Sequence, residues 1–222
     1  VPMNKPIVMT NTVDENWGFI STPIGTRTAK WINLTNHLRI HHANYDTLRT
    51  FINSDRVVLT VVNSHQDPAL GANKKIISLP LGIRHRKEIW KAMLEVKEKG
   101  SNKTKLFTIN NSGWKERTQI NNDLIEKWAT YNMTLLNTFP GKASKHALAK
   151  RPPSEVFSNH YFEVASSKFL LCPSGLSMDS YRLWETLALG TIPVVESNPG
   201  FDRTYSNLPV LVVHNYTDLT PE

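Results

Sequence analysis

The sequence predicts an α/β protein built of two parallel-sheet halves, and three features of the 222-residue chain carry that reading. Short runs rich in β-branched and apolar residues, such as Arg56-Val-Val-Leu-Thr-Val-Val62, alternate with longer segments of helical periodicity. A polar stretch, Lys99-Gly-Ser-Asn-Lys103, interrupts the alternation near the middle. A repeated β/α unit then runs from Lys105-Leu-Phe-Thr-Ile109 to Thr191-Ile-Pro-Val-Val195. Strands joined through helices pair in parallel, because each helix carries the chain back to the starting edge of the sheet. The predicted division is 1–102 and 103–222.

In the first half, Pro6 to Thr10 reads as a short buried strand that runs into the polar turn 11–18. A helix is expected over 46–52, the strand over 56–62, another over 75–81, and a helix over 86–99. In the second half, strand 105–109 leads through a loop to a helix over about 115–131, and 132–139 is the next strand. The basic, Gly- and Pro-punctuated stretch 140–153 reads as a mobile surface loop. A helix over 155–166, strand 168–172, helix 179–189 and strand 191–195 complete the order. Asp218-Leu-Thr-Pro-Glu222 has the composition of a helix start, so a further C-terminal segment is expected.

Composition narrows the class. Six Trp, eight Phe and six Tyr supply large surfaces to bury and exclude wholesale disorder. The net charge of +7 favours anionic partners, but the basic residues are dispersed, which argues against a nucleic-acid arm. Cys172 is the only cysteine, so no intrachain disulfide and no Cys-rich zinc site can form. A reducing, cytoplasmic setting fits that usage, with the Golgi lumen the alternative if the chain is an excised domain. No apolar run is long enough to cross a bilayer as a helix. Asn-x-Ser/Thr sequons at Asn33, Asn102, Asn110, Asn132 and Asn215 are read as incidental in an Asn-rich chain. His37 with His41 and His42 has metal-like residue types but no supporting carboxylate pattern, and no metal is assigned.

The chemistry concentrates in Lys168-Phe-Leu-Leu-Cys-Pro-Ser-Gly175 and Ser180-Tyr-Arg-Leu-Trp-Glu-Thr-Leu-Ala-Leu-Gly190. A buried strand ends at Cys172, and Pro173 stops its pairing. Ser174-Gly175 then lets backbone approach a bound group before a helix starts near Asp179 or Ser180. Free N–H groups and the helix dipole favour an anion such as a diphosphate there. On that helix Arg182 and Glu185 are three residues apart and share a face, while Leu183 and Leu187 can point to the core. Arg182 offers a forked donor for phosphate and Glu185 an acceptor pair for vicinal ribose hydroxyls. An internal Arg182–Glu185 salt bridge is the competing explanation for the same spacing.

These residues resemble the exostosin-like glycosyltransferase family, over 166–196 most specifically and more loosely back through Lys105-Leu-Phe-Thr-Ile-Asn-Asn-Ser-Gly-Trp-Lys-Glu-Arg117. Over 1–100 the pattern, including Ile77-Ser-Leu-Pro-Leu-Gly82, is compatible. The resemblance implies a GT-B fold, two Rossmann-like domains facing across a cleft, with 1–102 on the acceptor side and 103–222 binding the nucleotide sugar. It implies diphosphate contacts at Ser174, Gly175, Ser180 and Arg182, with Tyr181 in the same donor site, ribose contact at Glu185 and a second basic contact at Arg117. It also implies a metal-independent, inverting transfer from a UDP-sugar, xylose or a hexuronic acid being plausible sugars, to a hydroxyl of a glycan or glycoprotein acceptor, with no cofactor and no nucleic acid. Unlike the animal members of the family, this sequence lacks paired cysteines and a membrane anchor.

An inverting transfer needs a base facing the cleft from the N-terminal half. Asp14, after the first strand, is favoured over Glu15, with Trp17 placed to stack on an acceptor sugar. Asp14 as a simple turn or helix cap is the competing use. His65, with Asp67 nearby, is the second candidate. No Gly-x-Ser-x-Gly, Gly-x-Gly-x-x-Gly or P-loop signature is present, which argues against a hydrolase, a dinucleotide enzyme and a P-loop enzyme. The alternative class is a noncatalytic carbohydrate- or polyanion-binding module that would use the basic loop Lys142–Arg151.

Overall fold

A computed structural model describes residues 7–11, 29–30, 41–43, 50, 52–55, 57–62, 73–111, 116–128, 131, 133–135, 153–174, 179–198 and 200–220. The protein is mixed α/β with parallel sheets, and its chain groups into two compact units. The first comprises 1–81, 175–179 and 198–207; the second comprises 82–174, 180–197 and 208–222.

In the first unit, β1 (Ile7–Asn11), β4 (Val57–Val62) and β5 (Ile76–Ser78) form a parallel sheet in the order β1-β4-β5. The β-branched run of β4 lies in the middle, pairing Val8 with Leu59 on one side and Thr60 with Ile76 on the other. An antiparallel pair, β2 (Ala29–Lys30) and β3 (His41–Ala43), sets His41 opposite Lys30. Buried Asp179 accepts hydrogen bonds from the Leu81 amide at 2.6 Å and the Tyr205 hydroxyl at 3.4 Å, fixing the ends of distant segments of this unit.

The second unit is built on a five-stranded, wholly parallel sheet of β6 (Lys105–Ile109), β7 (Met133–Leu135), β8 (Ser167–Leu171), β9 (Ile192–Glu196) and β10 (Leu211–Val213). The order β7-β6-β8-β9-β10 reverses direction between β6 and β8. In a doubly wound sheet of this kind the crevice beyond the carboxyl ends of those two strands is where ligands bind. Pro193 is tolerated within β9 because β10 joins only opposite Val194, so the missing N–H breaks no ladder bond on that side.

Helices α1 (Lys87–Lys99), α2 (Glu116–Lys127), α3 (Pro153–Ala165) and α4 (Tyr181–Ala188) belong to this unit, and the short α5 (Asp202–Tyr205) to the first. One core forms where Phe107, Ile109, Leu171 and Val194 from the sheet meet Leu124 and Trp128 from the α2 segment and Tyr216 and Leu219 from the C-terminal turn. Phe107 and Trp128 lie with ring centroids 4.9 Å apart, an aromatic contact worth about 0.5–1.5 kcal/mol beyond the area it buries. A second core is the stripe Ile89, Ala92, Met93 and Val96 of α1, spaced for one helix face, packed on Tyr161 and Ala165 of α3. That packing groups α1 with the second unit.

Most predicted elements are present with shifted ends. β7 covers only Met133–Leu135 of the expected 132–139, and α2 stops at Lys127. Residues 142–151, the turn 12–18 and most of the expected helix 46–52 lie outside the described residues. Of the described sequon asparagines, Asn110 is fully buried, whereas Asn102 and Asn215 are exposed.

Candidate functional site

The site is assembled at the carboxyl ends of β6 and β8. The Cys172 amide still donates to Val194 O at 2.9 Å, so pairing with β9 runs one residue past β8 and then stops at Pro173, which has no N–H. The carbonyls of Pro173 and Ser174 accept from Nη2 and Nε of Arg117 at 3.3 and 2.8 Å. Arg117, in the first turn of α2, thereby clamps the turn that follows β8. Residues 175–178, Gly175 among them, lie outside the described residues.

The chain re-enters through Ser180, the N-cap of α4, whose extended backbone lets its Oγ accept from the Leu183 amide at 3.4 Å. Leu183 is buried on the core side and Leu187 is half-buried. The Thr186 hydroxyl donates to Arg182 O at 2.6 Å and lies 3.7 Å from the Cys172 sulfur, which seats the helix on the end of β8. Gly190, at φ +68°, then turns the chain from α4 into β9 in a conformation that other residues adopt at a cost.

Glu185 is only 8% exposed, and its Oε1 has no hydrogen-bond partner among the described residues. Burial raises its pKa above the ordinary carboxylate value; the Arg84 guanidinium, the Tyr161 hydroxyl, Arg182 and the Arg84 backbone N–H act in the opposite sense. Burial likewise draws Arg182 and Arg117 below the usual guanidinium range, which is high enough for both to stay charged. His160, buried beneath the site, is pulled down to about 3 by burial and by Arg182 and Arg84, so it is neutral at physiological pH. Its Nδ1 is 2.6 Å from Asn110 Nδ2, an amide at the end of β6. Burial pushes the Cys172 thiol up to about 12, which excludes it as a nucleophile. Arg84 lies with Cζ 5.2 Å from the centroid of the Tyr181 ring.

The structure places Arg117, Ser174, Ser180, Tyr181, Arg182 and Glu185 in the second unit, around the carboxyl ends of β6 and β8. Asp14, Glu15, Trp17 and His65 lie outside the described residues. Arg84, Tyr161, His160 and Asn110 were not singled out from sequence. They are polar residues spread over α3, the loop before α1 and the end of β6, and no local spacing links the three segments. Among the described residues no group of three His, Cys, Asp or Glu side chains is placed to hold a metal, and no helix is long and apolar enough to cross a membrane.

The arrangement defines a Rossmann-like parallel sheet that ends in a buried carboxylate flanked by guanidinium groups, a combination suited to a ligand carrying both hydroxyls and negative charge. Residues 141–215 match the family model described as the RXYLT1 C-terminal domain, a xylosyltransferase-related family within the exostosin-like group. The matched stretch, about a third of the chain, includes α3, β8, α4, β9, α5 and β10, so it carries most of the site. It points to a glycosyltransferase. Comparison with curated proteins gave no match.

Proposed function

We propose that this chain is a GT-B glycosyltransferase whose second unit holds a UDP-sugar, xylose or a hexuronic acid being plausible sugars, and transfers the sugar with inversion to a hydroxyl of a glycan acceptor. The observation that carries the proposal is the buried Glu185 carboxylate, with Oε1 left unpartnered among the described residues, beside Arg182 at the N-terminal turn of α4. A buried polar atom without a partner costs about 1–3 kcal/mol, more when charged. Two ribose hydroxyls would remove that cost. Arg182 and the N-terminal amides of α4 would receive the diphosphate, with Ser174, Gly175, Ser180 and Tyr181 as its proposed contacts and Arg117 supporting the turn.

In the reaction the acceptor oxygen attacks the anomeric carbon as the bond from that carbon to the diphosphate oxygen breaks. The acceptor proton passes to the base, and UDP departs with the bonding electrons. Asp14 is the proposed base, with Glu15 and His65 as alternatives and Trp17 as an acceptor platform. Arginine and helix N–H groups stabilise the departing diphosphate, so the proposed reaction is metal-independent. In this reading the N-terminal half, 1–102, serves the acceptor and 103–222 the donor, except that 82–99, which groups with the second unit, stands on the donor side.

The test is calorimetric titration of the folded chain with UDP in a chelating buffer, beside Arg182→Ala and Glu185→Ala. Saturable binding that both variants lose while remaining folded supports the proposal. Absence of UDP binding by the folded wild type refutes it and turns attention to salt-sensitive polyanion binding by a noncatalytic module.

A further inference from the structure

We infer that Arg84 is a second cationic contact for the donor diphosphate, presented to the site by the face of Tyr181; the inference rests on the nucleotide-sugar reading above. Arg84 lies about a hundred residues before α4 in the chain, yet three independent contacts set its place. Ile83 packs against the α1–α3 core. The Arg84 backbone N–H bonds to the Glu185 carboxylate. The guanidinium lies over the ring of Tyr181, the first residue of α4. Gly82, at φ +70°, makes the bend that delivers this segment to the helix.

If Arg84 served only to neutralise Glu185, its planar fork would close on the carboxylate, as Arg–carboxylate pairs do. Instead Glu185 Oε1 keeps no hydrogen-bond partner among the described residues. A guanidinium held over an aromatic face still directs its N–H donors outward in its own plane, the geometry that grips phosphate oxygens. Charge points the same way. Arg84 and Arg182 together carry one more charge than Glu185 balances, and His160 beneath them is neutral. Both arginines are half-buried and open in part to solvent, so this excess positive charge attracts an anion to the cluster. Arg117 is less available for that task, because its Nε and Nη2 are engaged by the Pro173 and Ser174 carbonyls.

The experiment is calorimetric titration of the full chain and its Arg84→Ala, Arg84→Lys and Glu185→Ala variants with UDP and, separately, with uridine, each variant checked for folding by thermal unfolding. The expected result is a loss of about tenfold or more in UDP affinity for Arg84→Ala, the scale of one charge-assisted contact, with uridine affinity unchanged. Arg84→Lys, which keeps the charge and loses the fork, falls between wild type and Arg84→Ala. Equal losses for uridine and UDP would overturn the inference, because Arg84 would then act through Glu185. So would unchanged UDP affinity in Arg84→Ala or, if that variant does not fold, in Arg84→Lys. A wild type that binds UDP through Glu185 but ignores Arg84 defeats this inference alone, whereas a folded wild type that binds no UDP defeats the donor reading with it.

Discussion

Replacing Glu185 by Gln separates a ligand-binding carboxylate from a structural one, because the two roles predict opposite signs for stability and affinity. The side chain keeps its shape, loses its charge and exchanges one acceptor oxygen for a donor amide. Glu185 is 8% exposed, and burial raises its pKa in spite of two neighbouring guanidinium groups and the Tyr161 hydroxyl. The folded protein is therefore destabilised by carrying this charge, and the Gln variant is expected to unfold at the same temperature as wild type or higher. Affinity moves the other way. Hydrogen bonds to charged groups contribute about 1.5–3 kcal/mol, so losing the diol acceptor weakens UDP binding by about 10- to 150-fold.

The sign can be checked through pH. A carboxyl whose pKa is raised on folding binds more protons in the native than in the unfolded state between the two values, so it stabilises below the unfolded value of 4.5 and loses that contribution as pH rises through the folded one. The stability of Glu185→Gln relative to wild type should accordingly grow as pH rises through that window. The assay is chemical denaturation at a series of pH values together with calorimetry for UDP. A Gln variant that is less stable than wild type near neutral pH and binds UDP with undiminished affinity would refute the reasoning.

Three further outcomes follow from the same structure. Arg117→Ala removes two donors from the carbonyls of Pro173 and Ser174, so amide hydrogen exchange across 172–174 should accelerate and UDP affinity should fall; unchanged exchange there would show that the clamp does not hold the turn. Asp14→Asn should leave UDP binding intact while sugar transfer to an acceptor drops by about 10²–10⁴-fold, and full transfer activity would remove Asp14 as the base. Cys172, buried with its thiol pushed up to about 12, should react with an aromatic disulfide reagent only on unfolding, so rapid labelling of the native protein would contradict its placement.

How much of this was legible in sequence depends on how local each signal is. β4, β6, β8 and β9 stand out because each is a short run rich in apolar and β-branched residues flanked by polar segments. The spacing of Ile89, Ala92, Met93 and Val96 marks α1 in the same way. β10 and α5 were missed, being three and four residues long, with Leu211 and Val212 exposed on an edge strand that no burial pattern betrays. The site divides along the same line. Ser180, Arg182 and Glu185 share one helix turn and its cap, so spacing alone puts them together. Arg84, Tyr161, His160 and Asn110 reach them only through the packing of α1 on α3 and the order of the sheet, and neither fact is written in any short window of sequence.

His160 shows that the buried polar layer carries an energetic signature of its own. Its imidazole is 3% exposed, lies 2.6 Å from the Asn110 amide and faces the guanidinium groups of Arg182 and Arg84, which with burial pull it down to about 3. The unfolded chain binds a proton near the ordinary value of 6.5 and the native state does not, so between these two values the unfolded state holds more protons and stability rises with pH. Acidification below 6.5 should therefore cost the protein about 1.4 kcal/mol per pH unit from this one group. Replacing His160 by Gln, which keeps hydrogen-bonding capacity for Asn110 but cannot titrate, should flatten that slope between pH 6.5 and 5 while leaving UDP affinity at pH 7.5 within a few-fold of wild type. If the slope persists in a folded His160→Gln variant, other groups govern acid sensitivity. If it vanishes, His160 is the group that carries the acid sensitivity, held neutral by its burial and secondarily by Arg182 and Arg84.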